Sequence, residues 1–226
     1  MHSVSALLPM KGQSERIKDK NTRPLNGKPL FHYVMESLLA SKYISEIIVN
    51  SDCPQIEESL KKYFPSVKFI QRPTELLGAK VPMTPIIAHD LKYSSNEHFL
   101  QTHATNPFLK ASTIDKGIEE YFKSISLGYD SAFAVTGYQT RFYDNKATPI
   151  NHDLSVMVPS QDMPYIYEDN SNFYINSKQN FSKHNNRIGH NPKLIPMNKI
   201  ESHDIDEVED WVIAEAIATS LGEHHA

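Results

Sequence analysis

The chain has 226 residues, 39% of them hydrophobic, and a formal net charge of −4 at pH 7. This length and apolar content predict one domain, residues 1–226, with a full-sized core. The acidic balance excludes a global positive field for nucleic acid, so any polyanionic ligand requires a local cluster of cations. The single cysteine, Cys53, excludes an internal disulfide and indicates a reducing, cytoplasmic environment. The first apolar run is too short for a signal peptide or a membrane span, so no membrane association is expected.

Short apolar runs alternate with segments of helical spacing along the first half of the chain. Strands are predicted over residues 4–8, 44–49 and 67–70, and Pro9 is expected to end the first of them. Helices are predicted over residues 29–40 and 54–63, with Pro29 suited to a first turn. The alternation indicates strands that are connected through helices.

The second half continues this order. Helices are predicted over residues 85–91 and 112–122, with Ser112 as an N-cap, and strands over residues 98–102 and 131–135. Strands at 172–175 and 194–197 precede a last helix over 207–221, whose apolar side carries Trp211, Ile213, Ala214 and Ile217. The whole pattern predicts an α/β fold with a mostly parallel sheet, helices on both faces and ligands at the carboxyl ends of the strands.

Residues 137–170 interrupt the pattern, because they are rich in Tyr, Asn, Asp and Pro and show weak periodicity. An unbroken loop of this length is unusual in a compact domain. We therefore predict that the segment contains short strands and forms a lid or a dimerisation arm. Its tyrosines are expected to serve dimer packing rather than catalysis.

The loop after the first strand reads PMKGQSERIKDKN, residues 9–21. Gly12 permits close backbone approach and Ser14 adds a hydroxyl donor, while cations are supplied by Lys11, Arg16, Lys18 and Lys20. Free N–H groups together with several cations suit a triphosphate. The alternative is a solvated surface loop, since Glu15 and Asp19 dilute the charge and the spacing of a Walker loop is absent.

The second polar motif is SHDIDEVEDW, residues 202–211. If this segment is extended, Asp204 and Asp206 point to the same side, because side chains alternate along a strand. Two such oxygen ligands suit Mg²⁺ held jointly by protein and phosphate. The alternative is an acidic first turn for the last helix, which Glu207, Glu209 and Asp210 fit better.

Six segments, taken in order, resemble the acylneuraminate cytidylyltransferase family, whose members make CMP-activated sialic and related sugar acids. The opening ALLPMKGQSERIKDKNTRPLNGKPL is similar to the family's P-A-R-x-G-S-x-R-x-x-x-K-N and R-P-L-x-G-K-P-L patterns. It is followed by IIVNSD at 47–52, QRPTEL at 71–76, THATNPFL at 102–109, NFYI at 172–175 and DIDEVEDWVIAE at 204–215. The resemblance covers nearly the whole chain and implies a three-layer, Rossmann-like nucleotidyltransferase fold with a small dimerisation arm.

The resemblance also implies a reaction and a set of roles. The anomeric hydroxyl of an acidic sugar would attack the α-phosphorus of CTP and release pyrophosphate, with Mg²⁺ as cofactor. Lys11, Ser14, Arg16 and Lys20 correspond to the triphosphate-binding set, and Asn21 and Arg72 to positions that contact the nucleotide. Asp204 and Asp206 correspond to the metal-binding pair. The predicted catalytic residues are Lys11, Arg16, Lys20 and Asp206. Lys11 and Arg16 would stabilise pyrophosphate, and Asp206 is favoured as the proton acceptor.

Departures from the family pattern concentrate on the side that faces the sugar. His103 stands where a glutamine commonly contacts the sugar, and Asn170 is retained within EDNSNFYI in place of R-P-N-G-A-I-Y-I. We predict both as substrate-binding residues, although a plain strand-end histidine is an alternative for His103. Lys11 replaces an arginine, Glu15 replaces a frequent lysine and Ala79 a frequent aspartate. The sequence therefore does not decide whether the acceptor is a nine-carbon or an eight-carbon sugar acid.

Three alternatives remain open at this level. One is an enzyme of the same fold that uses another nucleotide or sugar. A second is a metal-dependent glycosyltransferase, because Asp204-Ile205-Asp206 satisfies the D-x-D pattern. The third is a homologue that has lost catalysis, for which Glu15 is the main argument.

Overall fold

The computed structural model describes residues 2–12, 14, 16–78 and 80–223, so Glu15 and Ala79 lie outside the described residues. The strands in this part of the chain are β1 (Val4–Met10), β2 (Pro24–Leu25), β3 (Lys28–Pro29), β4 (Ile44–Ser51), β5 (Lys68–Gln71), β6 (His98–Thr102), β7 (Ser131–Tyr138), β8 (Ile166–Ser177) and β9 (Pro192–Met197). The α-helices are α1 (Leu30–Ala40), α2 (Pro54–Tyr63), α3 (Met83–Asp90), α4 (Ala111–Ile125), α5 (Lys178–His184) and α6 (Val208–Glu223).

The main sheet has the strand order β5-β4-β1-β6-β8-β7-β9. Strand β8 runs antiparallel to both of its neighbours, and the other pairs are parallel, which confirms the predicted mostly parallel sheet. From β1 the chain proceeds outward through β4 and β5, then returns to β6 on the opposite side of β1. The carboxyl ends of β1 and β6 thus form a topological switch point, where open α/β sheets bind ligands.

Helices cover both faces of this sheet because the buried strands carry apolar side chains in both directions. In β1, Ala6 and Leu8 belong to a core cluster shared with α1, α2 and α4, whereas Leu7 joins a second cluster. That second cluster includes Ile87 of α3 and Phe181 of α5. Side chains alternate along a strand, so the two clusters lie on opposite faces. The predicted three layers are confirmed.

Helix α6 is held against the amino-terminal region by a third apolar cluster. Trp211 and Ala214 of α6 are buried there with Leu25 of β2 and Leu30 of α1. This packing brings the segment before α6, with its two aspartates, back to the loop that follows β1. None of the helices in the described residues is both long and apolar enough to cross a membrane.

Three local predictions are wrong. Pro9 does not end β1, because the strand continues to Met10. The pairing of β1 with β6 stops at Leu7, so a proline, which has no N–H to donate, is tolerated beyond that point. Ser112 is not an N-cap, because α4 begins at Ala111 and its N-cap, Lys110, makes no side-chain capping bond. Ile213 does not share the apolar side of α6, since it is 49% exposed.

Residues 137–170 contain the ends of two paired strands joined by an irregular segment. Strand β7 extends to Tyr138 and β8 begins at Ile166, so both reach into the range and pair there antiparallel. Between them an isolated bridge joins Tyr143 to Pro149. Several apolar side chains of this connection are exposed, namely Ile150, Leu154, Val156, Met157, Val158 and Tyr165.

Candidate active site

The loop after β1 closes onto the segment that follows β4. The Gly12 N–H donates to Oδ1 of Asp52 at 2.7 Å. A Cβ at Gly12 would lie 3.2 Å from the Cβ of Cys53, so glycine permits this close approach. Gly12 thus closely approaches the protein's own loop, and its approach to a bound nucleotide stays a prediction. Its N–H is already bonded to Asp52, which corrects the expectation of a free N–H there.

The ends of the same loop are tied together by Asn21, whose Nδ2 donates to the backbone oxygen of Lys11 at 2.9 Å. Lys11 is exposed and Ser14 is partly buried. This bond holds Lys11 and Asn21 next to each other at the two ends of the loop.

Two cations of this loop meet Asp206 from the far end of the chain. Arg16 Nη2 lies 2.9 Å from Oδ1 of Asp206, and Arg16 Nη1 donates to Oε1 of Glu207 at 2.9 Å. Lys20, which is buried, lies 3.2 Å from the same Asp206 oxygen and donates to the backbone oxygen of Ile205 at 2.6 Å. The basic motif and the D-x-D motif thus occupy one cleft.

Asp204 and Asp206 differ in their surroundings. Ile205 between them is fully buried, and the Asp206 side chain is 46% exposed. Asp204 is largely desolvated, and this burial raises its pKa to about 6, against the hydrogen bond with Thr105, which lowers it. Its buried Oδ1 has no hydrogen-bond partner among the described residues. An unsatisfied buried carboxylate oxygen of this kind is a position that a cation would complete.

Among the acidic residues that follow, Asp210 bonds to the start of the last helix. Oδ2 of Asp210 accepts the N–H groups of Asp206 and Glu207, at 3.0 and 2.8 Å. It therefore satisfies backbone donors at the amino end of α6, as the alternative reading of this motif expected. In the part of the chain that the structure describes, no group of three or more His, Cys, Asp or Glu side chains could hold a metal by itself. A metal here would share its coordination with phosphate or water.

Arg72 lies in a buried network at the carboxyl ends of β4 and β5. Its Nε donates to Oδ1 of Asn50 at 2.7 Å, and its Nη2 to the Asn50 backbone oxygen at 3.0 Å. Asn50 in turn donates to Asp90 on α3. Burial raises the pKa of Asp90 to about 6, although the Asn50 hydrogen bond opposes the shift. Arg72 is thus braced by the protein on the strand edge next to the Gly12–Asp52 contact.

His103 stands just past β6, between Gln101 and Arg187. Its Nε2 lies 3.0 Å from Nε2 of Gln101 and 3.3 Å from Nη1 of Arg187. Both neighbouring atoms are donors, so His103 Nε2 accepts and the ring proton resides on Nδ1. Burial, followed by the charge of Arg187, lowers the pKa of His103 to about 3. The ring is therefore neutral and presents a donor.

The amide of Asn170 makes contacts within the sheet. Its Nδ2 donates to Oγ1 of Thr136 at 3.1 Å, and its Oδ1 accepts the Asn172 N–H at 3.2 Å. Ser171 between them has φ +56°, and the pairing of β7 with β8 is irregular nearby. These bonds hold the backbone at that irregularity. Substrate binding by Asn170 stays a prediction.

The structure unites residues that are distant in sequence and adds some that carried no sequence signal. Arg16 and Lys20 each contact Asp206, and His103 lies within electrostatic range of Lys20 and Asp206. Sequence reasoning missed Asp90, Gln101 and Arg187. The Asn185-Asn186 pair before Arg187 indicates a helix end, and Asn185 does end α5 in the left-handed region, but nothing local predicts where Arg187 reaches.

A cationic loop in contact with a carboxylate pair, together with a buried arginine at the carboxyl ends of β4 and β5, is an arrangement that suits the class of nucleotide-dependent transferases. Two solved structures have the same fold. The structure of CMP:2-keto-3-deoxy-manno-octonic acid synthetase complexed with CTP matches with a TM-score of 0.70 and 12% identity, over 97% of this chain and 99% of the other. That of 4-diphosphocytidyl-2C-methyl-D-erythritol synthase from Anaerococcus prevotii matches with a TM-score of 0.68 and 14% identity, over 96% of each chain.

A family model described as cytidylyltransferase matches residues 5–211, and the chain belongs to this family. It is 26% identical to N-acylneuraminate cytidylyltransferase of Escherichia coli O18:K1:H7, over 93% of this chain but about half (51%) of that protein. It is 25% identical to CMP-N,N'-diacetyllegionaminic acid synthase of Legionella pneumophila, over 95% of each chain. It is 23% identical to pseudaminic acid cytidylyltransferase of Campylobacter jejuni, over 93% of this chain and 94% of that one. The predicted family is confirmed.

Proposed function

We propose that this cytidylyltransferase transfers CMP from CTP to the anomeric hydroxyl of an acidic, nonulosonic-type sugar and releases pyrophosphate. The observation that carries the proposal is the contact of Arg16 and Lys20 with Asp206 in one cleft at the switch point. The names of the similar proteins support the acceptor class, since each refers to a nine-carbon sugar acid. Because the three identities are so close, they favour no single sugar among these.

The cations of the loop are suited to exchange partners when CTP binds. Arg16 and Asp206 are each about half exposed (51% and 46%), and ion pairs between exposed groups contribute about 1 kcal/mol or less. A triphosphate offers several charged oxygens in place of one carboxylate, so Arg16 can turn to it at small cost. Lys11 and Arg16 add positive charge where pyrophosphate departs. Their role is to stabilise the leaving group.

The proton of the acceptor hydroxyl goes to a carboxylate in this proposal. Asp206 is the exposed member of the pair, so it can reach a bound sugar, and the neutral His103 presents its Nδ1–H to a sugar oxygen. The freed oxygen forms its bond to the α-phosphorus as the bond from that phosphorus to the β-phosphate bridge breaks. The proton then passes from Asp206 to solvent.

Mg²⁺ is proposed as the cofactor, held by Asp204 and Asp206 with phosphate oxygens. The unpartnered Oδ1 of Asp204 and the raised pKa of this buried carboxyl group support a cation at this position. When bound, the ion would neutralise charge on the phosphoryl oxygens. Binding can be tested without turnover, by calorimetric titration of Mg²⁺ into the protein with a non-hydrolysable CTP analogue. Asp204→Asn is expected to weaken this binding, and equal affinity would contradict the assignment.

We also propose a cytoplasmic homodimer in which residues 137–170 form the dimerisation arm. The concentration of exposed apolar side chains in this one connection supports it, because exposed apolar surface that is large enough usually marks an interface. Met157, the most exposed of them at 82%, offers a direct test. Met157→Asp is expected to lower the molecular mass measured by light scattering from dimer to monomer. An unchanged mass would contradict a dimer interface at Met157.

The central test is a matrix of nucleotides and sugar acids. CTP, UTP, GTP and dTTP are each incubated with Mg²⁺ and with candidate eight-carbon and nine-carbon acids, and pyrophosphate is measured. Release with CTP and a sugar acid is expected. Release with another nucleotide alone would favour a different specificity, formation of a nucleoside diphosphate would favour a glycosyltransferase, and no turnover would favour a homologue without catalysis.

A further inference from the structure

Arg187 follows α5 and reaches back to the carboxyl end of β6. Its Nη1 donates to Oε1 of Gln101 at 3.0 Å, and its Nη2 donates to the Tyr174 hydroxyl at 2.8 Å. The guanidinium also lies 3.6 Å from the centre of the Tyr174 ring. Asn185, in the left-handed region at φ +50°, turns the chain out of α5 and directs it here. Three strand-borne contacts therefore fix the position of this cation.

The groups that hold Arg187 are all neutral. Gln101 is an amide, Tyr174 a phenol, and His103 a neutral imidazole that accepts from Nη1 at 3.3 Å. Across the described ranges of the chain, Arg187 forms no ion pair. The acid in this network, Asp169, accepts from the Tyr174 hydroxyl at 2.7 Å and forms no ion pair with Arg187. A half-buried guanidinium without a carboxylate has unused capacity for an anion.

Its remaining donors have a useful arrangement. A guanidinium has about five N–H donors. The described bonds occupy both hydrogens of Nη1 and one of Nη2. What is left is the Nε–H and one Nη2 hydrogen, and these two nitrogens share an edge of the planar group. Such an edge binds the two oxygens of a carboxylate in parallel.

Arg187 also belongs to the cleft in which the chemistry is proposed. His103 contacts Arg187 directly, stands next to Thr102 at the carboxyl end of β6, and lies within electrostatic range of Lys20 and Asp206. In a 2-keto sugar acid the carboxylate and the attacking hydroxyl are on the same carbon. A cation for that carboxylate must therefore lie near the reacting atoms, yet apart from Arg16 and Lys20, which the proposed function assigns to the phosphates.

We propose that Arg187 binds the carboxylate of the acceptor and makes the enzyme select sugar acids over neutral sugars. The assignment rests on the proposed function. The position is set by Gln101, Tyr174 and His103, so the acceptor meets a guanidinium already oriented by the sheet. No other part of the reaction depends on it.

The test compares a sugar acid with its methyl ester, which keeps the anomeric hydroxyl and removes the charge. Wild type, Arg187→Gln, Arg187→Lys and the matched control Lys183→Gln, an exposed cation on the neighbouring α5, are assayed by pyrophosphate release. In Arg187→Gln we expect the KM for the acid to rise about 10- to 100-fold while the KM for CTP stays within about 3-fold. Arg187→Lys should keep part of the preference for the acid, and Lys183→Gln all of it.

The preference for acid over ester is the decisive quantity, because a merely structural role would not change it. In wild type it should be large, and in Arg187→Gln it should fall toward one. The inference is overturned if wild type and Arg187→Gln prefer the acid equally, or if Arg187→Gln impairs CTP as much as the sugar. If wild type releases no pyrophosphate with any sugar acid, the proposed function itself fails and the inference falls with it.

Discussion

Two sides of the sheet's carboxyl edge, the Arg16–Asp206 contacts and the Arg72–Asn50–Asp90 network, hold their charges in opposite ways. On one side, Arg16 and Asp206 are about half exposed and joined by ion pairs that a ligand can exchange. On the other, Arg72 is only 5% exposed, Asp90 is fully buried, and Asn50 bonds to both. The first side is arranged to change partners during a reaction, and the second to stay fixed. Substitutions on the first side should therefore affect turnover, and those on the second should affect stability.

The largest effect is expected for Asp206→Ala. Loss of this carboxylate should reduce pyrophosphate release about 10³-fold or more, because it removes the proposed proton acceptor and a metal ligand. Stability should fall by about 1–2 kcal/mol, because the lost pair with Arg16 is exposed, whereas Lys20 is largely buried and keeps only its bond to the Ile205 backbone oxygen. Glu209→Ala, an exposed acid a few residues away, is the control for charge. Unchanged turnover in Asp206→Ala would contradict the assignment of Asp206 to catalysis.

The next effect is expected for Arg72→Met, measured as the free energy of unfolding in urea. The substitution removes the two hydrogen bonds to Asn50 and the positive charge near the buried Asp90. A loss of about 2–4 kcal/mol follows from leaving buried polar groups without partners. Arg72→Lys, which keeps the charge and loses the planar geometry, should lose less. A loss below about 1 kcal/mol in Arg72→Met would show that this side is not a fixed support.

Asp90 offers a pH test of the same support. Because burial raises its pKa to about 6, the native state holds this proton more tightly than the unfolded chain does. The stabilisation that this bound proton contributes to the native state is complete below the ordinary pKa of aspartate, about 4. It is lost as the pH rises through about 6. The stability of wild type relative to Asp90→Asn should thus fall on the order of 2 kcal/mol across that range. A difference independent of pH would mean that Asp90 is not desolvated in this way.

The smallest effect is expected for Glu207→Gln, which removes the exposed ion pair with Arg16. The free energy of unfolding should change by less than about 0.5–1 kcal/mol, as is usual for such pairs. Thermal and urea denaturation beside the Arg72 variants would sharpen the contrast between the two sides. A change as large as that in Arg72→Met would erase the distinction.

Periodicity predicted the regular elements well and their ends less well. The helix at Pro54–Tyr63 and the strand at His98–Thr102 have the predicted bounds, because each is delimited by clear changes in polarity. Strand β8 begins at Ile166, six residues before the predicted start at 172, since its early residues are exposed and Ser171 interrupts the regular backbone. The prediction at Pro9 is wrong because the point at which a strand loses a neighbouring strand depends on the fold and is not visible in the local sequence.

Some residues of the candidate site could likewise be predicted from the sequence and others could not. Arg16, Lys20 and Asp206 could be predicted because each lies within a segment of characteristic composition, and the structure brings them together. Asp90 and Arg187 could not, because their neighbours in sequence say nothing about Asn50 or Gln101, which they meet through the fold. Sequence patterns thus reveal groups that cluster along the chain. Groups that matter through a single tertiary contact require coordinates.

The bond from Lys20 to the backbone of Ile205 joins positions 185 residues apart. During synthesis the sheet can assemble from its earlier strands well before Ile205 leaves the ribosome, so a nascent chain can have a core and no complete cleft. Closing so long a loop is among the late events expected in folding. Affinity for CTP would then report the last stage of maturation, and incomplete chains would not consume nucleotide.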